Sequence, residues 1–385
     1  MGLKPLSFAR DRDLIFHRTQ LAENLLDRLG DPVYKSGLFL SAPRRTGKTT
    51  FIRADLLPAL REAGAVVIYA DLWEQRAVNP AHVIVAAIRD AILHESGPVM
   101  RAAALVGLRK VKVGGLEMDL DAIGTHDGDS LSRTLGKLGD ACDNPVVMVV
   151  DEAQHAQTSE EGRDTLFALK AARDAMILGS RKGFRLIATG SNSDRLRTLV
   201  SSKDQAFFGA REEHLPELDD DYLAWVLLGS RFQPHLTLPV LRRGFEMFGR
   251  RPEYLQALLH SLEEEPGFDA GTVDGVFLER ASARMENSRH MFLAVLRSME
   301  PLDAAVFRRM AELGEKFTPF NEAALAHYES LMKAIDPDAS VERPSKSAVQ
   351  TSLERLRKDS LVWNAGRGLW YIEDAQHEAW SRGAA

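Results

Sequence analysis

The stretch Ala42-Pro43-Arg44-Arg45-Thr46-Gly47-Lys48-Thr49 constrains this chain more than any other, because of what flanks it. Before it runs Gly37-Leu38-Phe39-Leu40-Ser41, an apolar segment expected to be a buried parallel strand. After it comes Thr50-Phe51-Ile52-Arg53-Ala54-Asp55-Leu56-Leu57, which reads as helix. Strand, glycine-containing turn and helix form the setting in which backbone N–H groups converge on a polyphosphate. On that pattern Lys48 reaches the β- and γ-phosphates, and the Thr49 hydroxyl takes a place on Mg²⁺. One position departs: the pattern begins with glycine and this chain has Ala42. Glycine there permits positive φ and close backbone approach, and alanine permits less.

A second stretch, Val146-Val147-Met148-Val149-Val150-Asp151-Glu152, supplies the acidic partner. Five apolar residues ending in two carboxylates describe a strand buried on both faces that opens onto a site at its C-terminal end. Asp151 is expected to hold Mg²⁺ through water, and Glu152 to orient or deprotonate an attacking water. The plainer alternative is a core strand followed by a helix whose acidic first turn only serves the helix dipole. A glutamate next to the aspartate argues for hydrolysis rather than transfer to an acceptor.

At 385 residues the chain suits two or three domains with a sizeable core. Its net charge of −6 gives no overall basic signature, so any nucleic-acid surface must be local. A single cysteine, Cys142, excludes an internal disulfide framework and fits a reducing compartment. No run approaches the roughly 18 apolar residues of a spanning helix. The N-terminal Met1-Gly2-Leu3-Lys4-Pro5 lacks the apolar core of a signal peptide, so a cytoplasmic protein with no membrane partner is expected.

Strands and helices alternate along the first half. Thr19 is placed as the N-cap of a helix. Ala65-Val66-Val67-Ile68-Tyr69-Ala70-Asp71 is an apolar run, and Asn79-Pro80 opens a helix to about Leu93. Val111 to Leu120 alternates about Gly114-Gly115 and predicts a β-hairpin. Helices are expected near Ser130–Ala141 and Glu160–Ile177. Phe184 to Asn192 is a strand with polar residues at its end, and Arg211-Glu212-Glu213-His214-Leu215 suits a sheet edge. The fold class is therefore α/β, an open parallel sheet with helices on both faces. Ligands lie at the C-terminal ends of such strands, where Thr49, Asp151 and Asn192 all fall. Asp219 to about Glu265 reads as helical throughout, with the turn Phe248-Gly249-Arg250-Arg251-Pro252 in its middle. Helices from Leu302, Asn321 and Ser345 and two short strands, Ser360–Trp363 and Leu369–Ile372, close the chain. Three regions follow: 1–216 as the α/β core, 217–265 as a helical lid, and 266–385 as a helical linker with a terminal domain.

Together these segments resemble the AAA+ ATPases of the branch that includes origin-recognition proteins and the signalling STAND ATPases. Phe16-His17-Arg18-Thr19-Gln20-Leu21 resembles the box before the loop, with His17 where glycine is usual. Pro43 to Thr49 and Val150-Asp151-Glu152-Ala153 match the Walker A and Walker B motifs. Ala188-Thr189-Gly190-Ser191-Asn192 resembles the sensor-1 strand, and Gly249-Arg250-Arg251-Pro252 the sensor-2 turn. The last region resembles a winged helix. The likeness does not extend to the Gly114 hairpin or to the span from Pro266 to Glu300.

The resemblance implies ATP or ADP and Mg²⁺ as ligands. Pro43, Arg44, Arg45, Thr46, Gly47, Lys48, Thr49, Thr50 and Arg251 would bind nucleotide, and Thr49 and Asp151 would bind metal. Glu152, Lys48 and Asn192 would carry the chemistry, with Asn192 or Ser191 touching the γ-phosphate or its water. It also implies assembly into homo-oligomers or with a partner protein, with a transition-state arginine from a neighbouring subunit. Arg195, Arg197 and Arg211 are in suitable places, and the sequence does not choose among them.

In the winged-helix region, Val349, Leu353 and Leu356 share one face, leaving Lys346, Gln350, Arg357 and Lys358 for double-stranded DNA across 345–372. The Arg367 tip between glycines suits a backbone or minor-groove contact. Glu342, Glu354, Asp359, Glu373 and Asp374 favour protein docking instead. Trp363, Trp370 and Tyr371 are expected to be packing residues. Two readings of function stay open: a nucleotide-driven switch recruited to DNA, and a STAND-type signalling or defence ATPase whose winged helix docks protein. A third, a nucleotide-binding DNA adaptor with negligible turnover, follows from Ala42. A small-molecule kinase is disfavoured because no compact acceptor lid is evident.

Overall fold

Parallel strands are buried on both faces, and the apolar runs of this chain meet that demand. The computed structural model describes residues 15–74, 78–98, 109–124, 130–179, 183–191, 193–335, 342–366 and 368–382. The described residues fall into two compact units, Met1–Leu228 and Gly229–Ala385.

The first unit opens with α1 (Thr19–Gly30) and β1 (Leu38–Ser41), which leads into the loop. Beyond the loop run α2 (Lys48–Phe51), a π-helical stretch Ile52–Leu56, and α3 (Leu57–Glu62). Then come β2 (Val66–Asp71), α4 (Pro80–Glu95) and the hairpin of β3 (Lys110–Val113) and β4 (Leu116–Asp119). Next are α5 (Leu131–Cys142), β5 (Val146–Asp151), a 3₁₀ stretch Ala153–Thr158, and α6 (Glu160–Gly179). The unit ends with β6 (Phe184–Gly190), α7 (Ser193–Ser201), β7 (Arg211–His214) and α8 (Asp220–Leu228).

Five strands make one sheet in the order β2–β5–β6–β1–β7. Every pairing is parallel, so the C-terminal residues Ser41, Asp71, Asp151, Gly190 and His214 share one edge. Side chains alternate across each strand. Val147 and Val149 therefore pack with Leu38, Leu40, Ile187 and the helices α1 to α3. Their neighbours Val146, Met148 and Val150 pack with Phe39, Phe184, Leu186 and the helices α4 to α6. Glu212 and Glu213 charge the β7 edge, and Glu213 is held by Arg28 and by the Tyr34 hydroxyl. Charge on an exposed edge opposes edge-to-edge pairing.

Three local expectations change. Thr19 is the first helical residue, and the cap position is Arg18, which makes no side-chain cap bond. The Arg18 N–H instead donates to Asp55 Oδ2 at 3.0 Å. The helix after the loop starts at Lys48, not Thr50. The span Asp219–Glu265 is broken by turns from Gly229 to Leu236, where Pro234 removes a backbone donor and the Ser230 hydroxyl bonds Glu263 at 2.7 Å.

The second unit contains α9 (Leu238–Met247), α10 (Pro252–Glu264) and the 26-residue α11 (Val273–Ser298). This long helix fills the span the resemblance did not reach. Helices α12 (Pro301–Leu313), α13 (Glu322–Ile335) and α14 (Lys346–Lys358) follow, then β8 (Val362–Gly366), β9 (Leu369–Ile372) and α15 (Ala375–Arg382). Three helices and an antiparallel hairpin give the order of a winged helix. Val349, Leu353 and Leu356 are fully buried against Val306, Phe307, Met310 and Tyr328. Trp363 and Trp370 are buried as packing residues, and Trp363 stacks on Tyr371. Arg367 lies outside the described residues. No described helix is long and apolar enough to cross a membrane.

The β3–β4 hairpin turns at Gly114 and Gly115, with φ of 51° and 85°. A Cβ on Gly114 would lie 1.9 Å from the Ala141 carbonyl oxygen, whereas one on Gly115 would meet open space. Gly114→Ala is therefore expected to cost about 2 kcal/mol or more, and Gly115→Ala about 1 kcal/mol from backbone strain alone. Urea unfolding of the two variants measures the difference.

Candidate active site

The loop leaves β1 without using glycine at its first position. The Ala42 N–H donates to the Gly190 carbonyl at 3.1 Å, and the Ala42 side chain is buried with Leu38 and Leu40. Ala42 is not among the residues with positive φ, so the missing glycine costs nothing in backbone strain. Left-handed backbone occurs instead at Arg45 (φ 63°) and Gly47 (φ 87°). The Thr46 hydroxyl closes the loop onto the Pro43 carbonyl at 2.7 Å. Gly47 caps α2, while Pro43, Arg45 and Thr50 are exposed and Arg44 is half-buried.

Lys48, the first residue of α2, is 6% exposed and points across the sheet edge. Its ammonium donates to Asp151 Oδ1, to Thr189 Oγ1 at 3.2 Å, and pairs with Glu152 Oε1 at 2.8 Å. Strand β6 lies between β1 and β5, so this ion pair spans a whole strand. Thr189 on β6 fills the gap, accepting from Lys48 and donating to Asp151. The other Asp151 oxygen accepts from the Thr49 hydroxyl at 2.8 Å and from the Tyr69 hydroxyl at 3.4 Å.

Glu152 follows with φ of 54°, an uncommon backbone for a side chain of this size. That conformation turns its carboxylate back toward the site. Oε2 accepts from the Ser191 N–H at 3.2 Å, the Ser191 hydroxyl at 2.8 Å and the Gln154 amide. Ser191 in turn accepts from Arg44 Nε at 3.1 Å. The Arg44 guanidinium lies 4.1 Å from the Trp73 ring centroid, and His155 packs against the same indole at 4.7 Å.

Charges in this cluster hold one another ionised. Burial would lower the Lys48 pKa, but Glu152 and Asp151 outweigh it and hold the ammonium above its ordinary value. Burial would raise Glu152, yet Lys48, then Arg44 and the Gln154 amide, bring it down to about 2.

Lys48, Thr49, Asp151 and Glu152 thus converge, as the motifs predict. Asn192 lies outside the described residues, and its neighbour Ser191 is the polar group seen on Glu152. Of the three arginines, Arg197 pairs with Glu212 at 3.0 Å and Arg211 is exposed on β7. The side chain of Arg195 lies outside the described residues. Arg251 sits in the second unit, 6% exposed, with bidentate bonds to Asp374 at 3.0 and 2.7 Å. Burial opposes both charges; Asp374 holds Arg251 above its ordinary value, and Arg251 holds Asp374 below its own.

Sequence reasoning missed Thr189, Tyr69, Gln154 and Trp73. Thr189 left a signal, a lone hydroxyl inside an apolar strand opposite the acidic pair. Tyr69 and Trp73 flank the end of β2 and bore no motif.

The donor set fits a magnesium-bound polyphosphate. Thr49 and Asp151 present hard oxygens 2.8 Å apart, beside a buried ammonium at the start of a helix. Among solved structures, the chain is similar to the ADP form of the Aeropyrum pernix ORC2 protein. The TM-score is 0.50 at 14% identity, over 95% of this chain and 93% of that one. It is also similar to the Aeropyrum pernix ORC1 protein in complex with DNA, with TM-score 0.43 at 16% identity, over 95% and 92% of the two chains. No family model matches the sequence, and no curated protein matches it. The likeness to the ORC2 protein is one of fold: a five-stranded parallel sheet in the order β2–β5–β6–β1–β7 with helices on both faces.

Two outcomes follow from these ion pairs. Because the Glu152 pKa falls on folding, its contribution is full above pH 4.5 and is lost as pH drops toward 2. The stability gap between wild type and Glu152→Gln should shrink by about 3 kcal/mol across that window, read from urea unfolding at stepped pH. Asp374→Ala leaves a buried guanidinium unpaired and should cost about 3 kcal/mol or more in the same assay.

Proposed function

We propose that the chain is a Mg²⁺-dependent ATPase working as an AAA+-type switch recruited to DNA through its C-terminal winged helix. The observation that carries the ATPase reading is the convergence of Lys48, Thr49, Asp151 and Glu152 at the loop–helix junction. Without nucleotide, Lys48 pairs with both carboxylates. On binding, Lys48 exchanges them for the β- and γ-phosphates. Thr49 and Asp151 hold the cation, which when bound offsets polyphosphate charge. Glu152, relieved of Lys48, regains basicity and accepts a proton from the attacking water. Ser191 and Asn192 orient that water, and Arg251 is assigned to the nucleotide.

For the DNA half, support comes from α14. Ser345 caps it through a bond to the Ala348 N–H at 3.1 Å, and Lys346, Gln350, Arg357 and Lys358 are exposed along it. Cations for phosphates and an amide for base edges suit a duplex groove. One observation favours protein docking instead: Glu354 engages Gln350 at 3.1 Å and Arg357 at 3.4 Å, spending two of those groups within the helix. On that reading the chain is a STAND-type signalling or defence ATPase. Both readings divide the chain into core 1–216, lid 217–265 and linker with winged helix 266–385, acting as a homo-oligomer or with a partner protein.

ATP hydrolysis with and without duplex DNA, for wild type and Glu152→Gln, tests the proposal. Glu152→Gln should lower kcat at least about 100-fold while retaining ATP. Duplex DNA should stimulate the wild type. Turnover unaffected by DNA, with no salt-dependent DNA binding, would favour the protein-docking reading; turnover surviving Glu152→Gln would reject the assigned chemistry.

A further inference from the structure

The resemblance places Arg44 and Arg45 alike among the nucleotide-binding residues, yet the Arg44 side chain is placed more specifically than that of Arg45, which is exposed. Two contacts fix it, and a third backs them. The guanidinium lies over the Trp73 indole at 4.1 Å, the indole is backed by His155, and Nε donates to Ser191 Oγ at 3.1 Å. A planar guanidinium can stack and donate in its plane at once, which an ammonium cannot.

The direction of the next bond follows. A serine hydroxyl has one proton and two lone pairs. With an Arg44 N–H directed into a lone pair, the Ser191 proton turns to Glu152 Oε2 at 2.8 Å. The sequence Arg44 N–H, Ser191 O–H, Glu152 carboxylate is thus a polarised chain, each bond strengthening the next. Ser191 is 8% exposed and Glu152 equally so, which keeps water from competing.

We infer that Arg44 is a positioning residue acting in cis: docked on Trp73, it fixes the Ser191 hydroxyl and through it the orientation of Glu152. This rests on the ATPase reading above and deepens it. Trp73 and Arg44 come from the ends of two strands that are not neighbours in the sheet, β2 and β1, so their contact also ties the loop to the far side of the site. The role differs from that of a transition-state arginine supplied by another subunit, because it acts on the protein's own carboxylate.

The test combines ATPase kinetics, binding of a fluorescent ADP analogue and urea unfolding. The variants are Arg44→Met, Arg44→Lys, Ser191→Ala and the Arg44→Met/Ser191→Ala double, all in the full chain. Arg44→Met should lower kcat by ~10- to 100-fold with KM and analogue affinity within ~3-fold of wild type. Arg44→Lys should recover only part, since it restores charge without the stacked donor. Adding Ser191→Ala to Arg44→Met should lower kcat less than about twofold further, and the unfolding cycle should show coupling above about twofold. The Trp73 emission, read as the difference from Trp73→Phe, should shift in Arg44→Met. Additive effects of the two substitutions would overturn the inference while leaving the ATPase reading intact, as would a parallel loss of analogue affinity and kcat, which would make Arg44 a phosphate ligand. Hydrolysis indifferent to Glu152→Gln would instead defeat the ATPase reading and the Arg44 role with it.

Discussion

A buried ammonium held between two carboxylates is the contact on which the first unit depends. Lys48, Asp151 and Glu152 come from chain segments about 100 residues apart, and each is charged where water is scarce. Any one of them left alone would carry a desolvation penalty of several kcal/mol. The cluster is stable only because the sheet order brings β1 and β5 within a lysine's reach, with β6 and its Thr189 hydroxyl bridging the gap. The same requirement explains why β6 ends in Gly190. A Cβ there would lie 2.8 Å from Gln154 Oε1 and 3.2 Å from Leu196, displacing the amide that steadies Glu152.

In this arrangement Lys48 is shared between both carboxylates. Lys48 stabilises the Glu152 anion and holds its carboxyl well below the usual carboxylate range. Under the proposed ATPase reading, moving Lys48 to another anion would release the carboxylate's basicity, coupling occupancy to activation. The left-handed backbone at Glu152 adds to this: the chain accepts local strain to aim one side chain.

Much of this could be read from the residues, for identifiable reasons. Continuous apolar runs such as Val146–Val150 have no reading other than a doubly buried strand, and Gly-Lys-Thr after a strand permits few local conformations. The edge position of β7 was legible in the polarity of Arg211–His214. Helix limits were less so. The start of α1 was fixed by Asp55, which takes the Arg18 N–H from 37 positions away, a long-range competition invisible to local capping rules. Side-chain cross-contacts were least legible of all. Nothing in the neighbourhood of Trp73 marks it as the platform for Arg44, since the pairing is created by strands β1 and β2 lying apart in the same sheet. Ala42 shows the converse: a departure from pattern carries no backbone strain, because the position has no positive φ and its N–H is bonded to the Gly190 carbonyl.

The Arg251–Asp374 pair joins residues 123 positions apart. A chain emerging from the ribosome therefore presents the Arg251 turn long before its counter-charge exists. Helices α9 and α10 can form early, since their bonds are local, but the turn between them stays wet until α15 arrives to cap it through Asp374. Closure of this turn thus depends on a contact of long sequence separation, the kind that is formed late because the intervening chain must be ordered first.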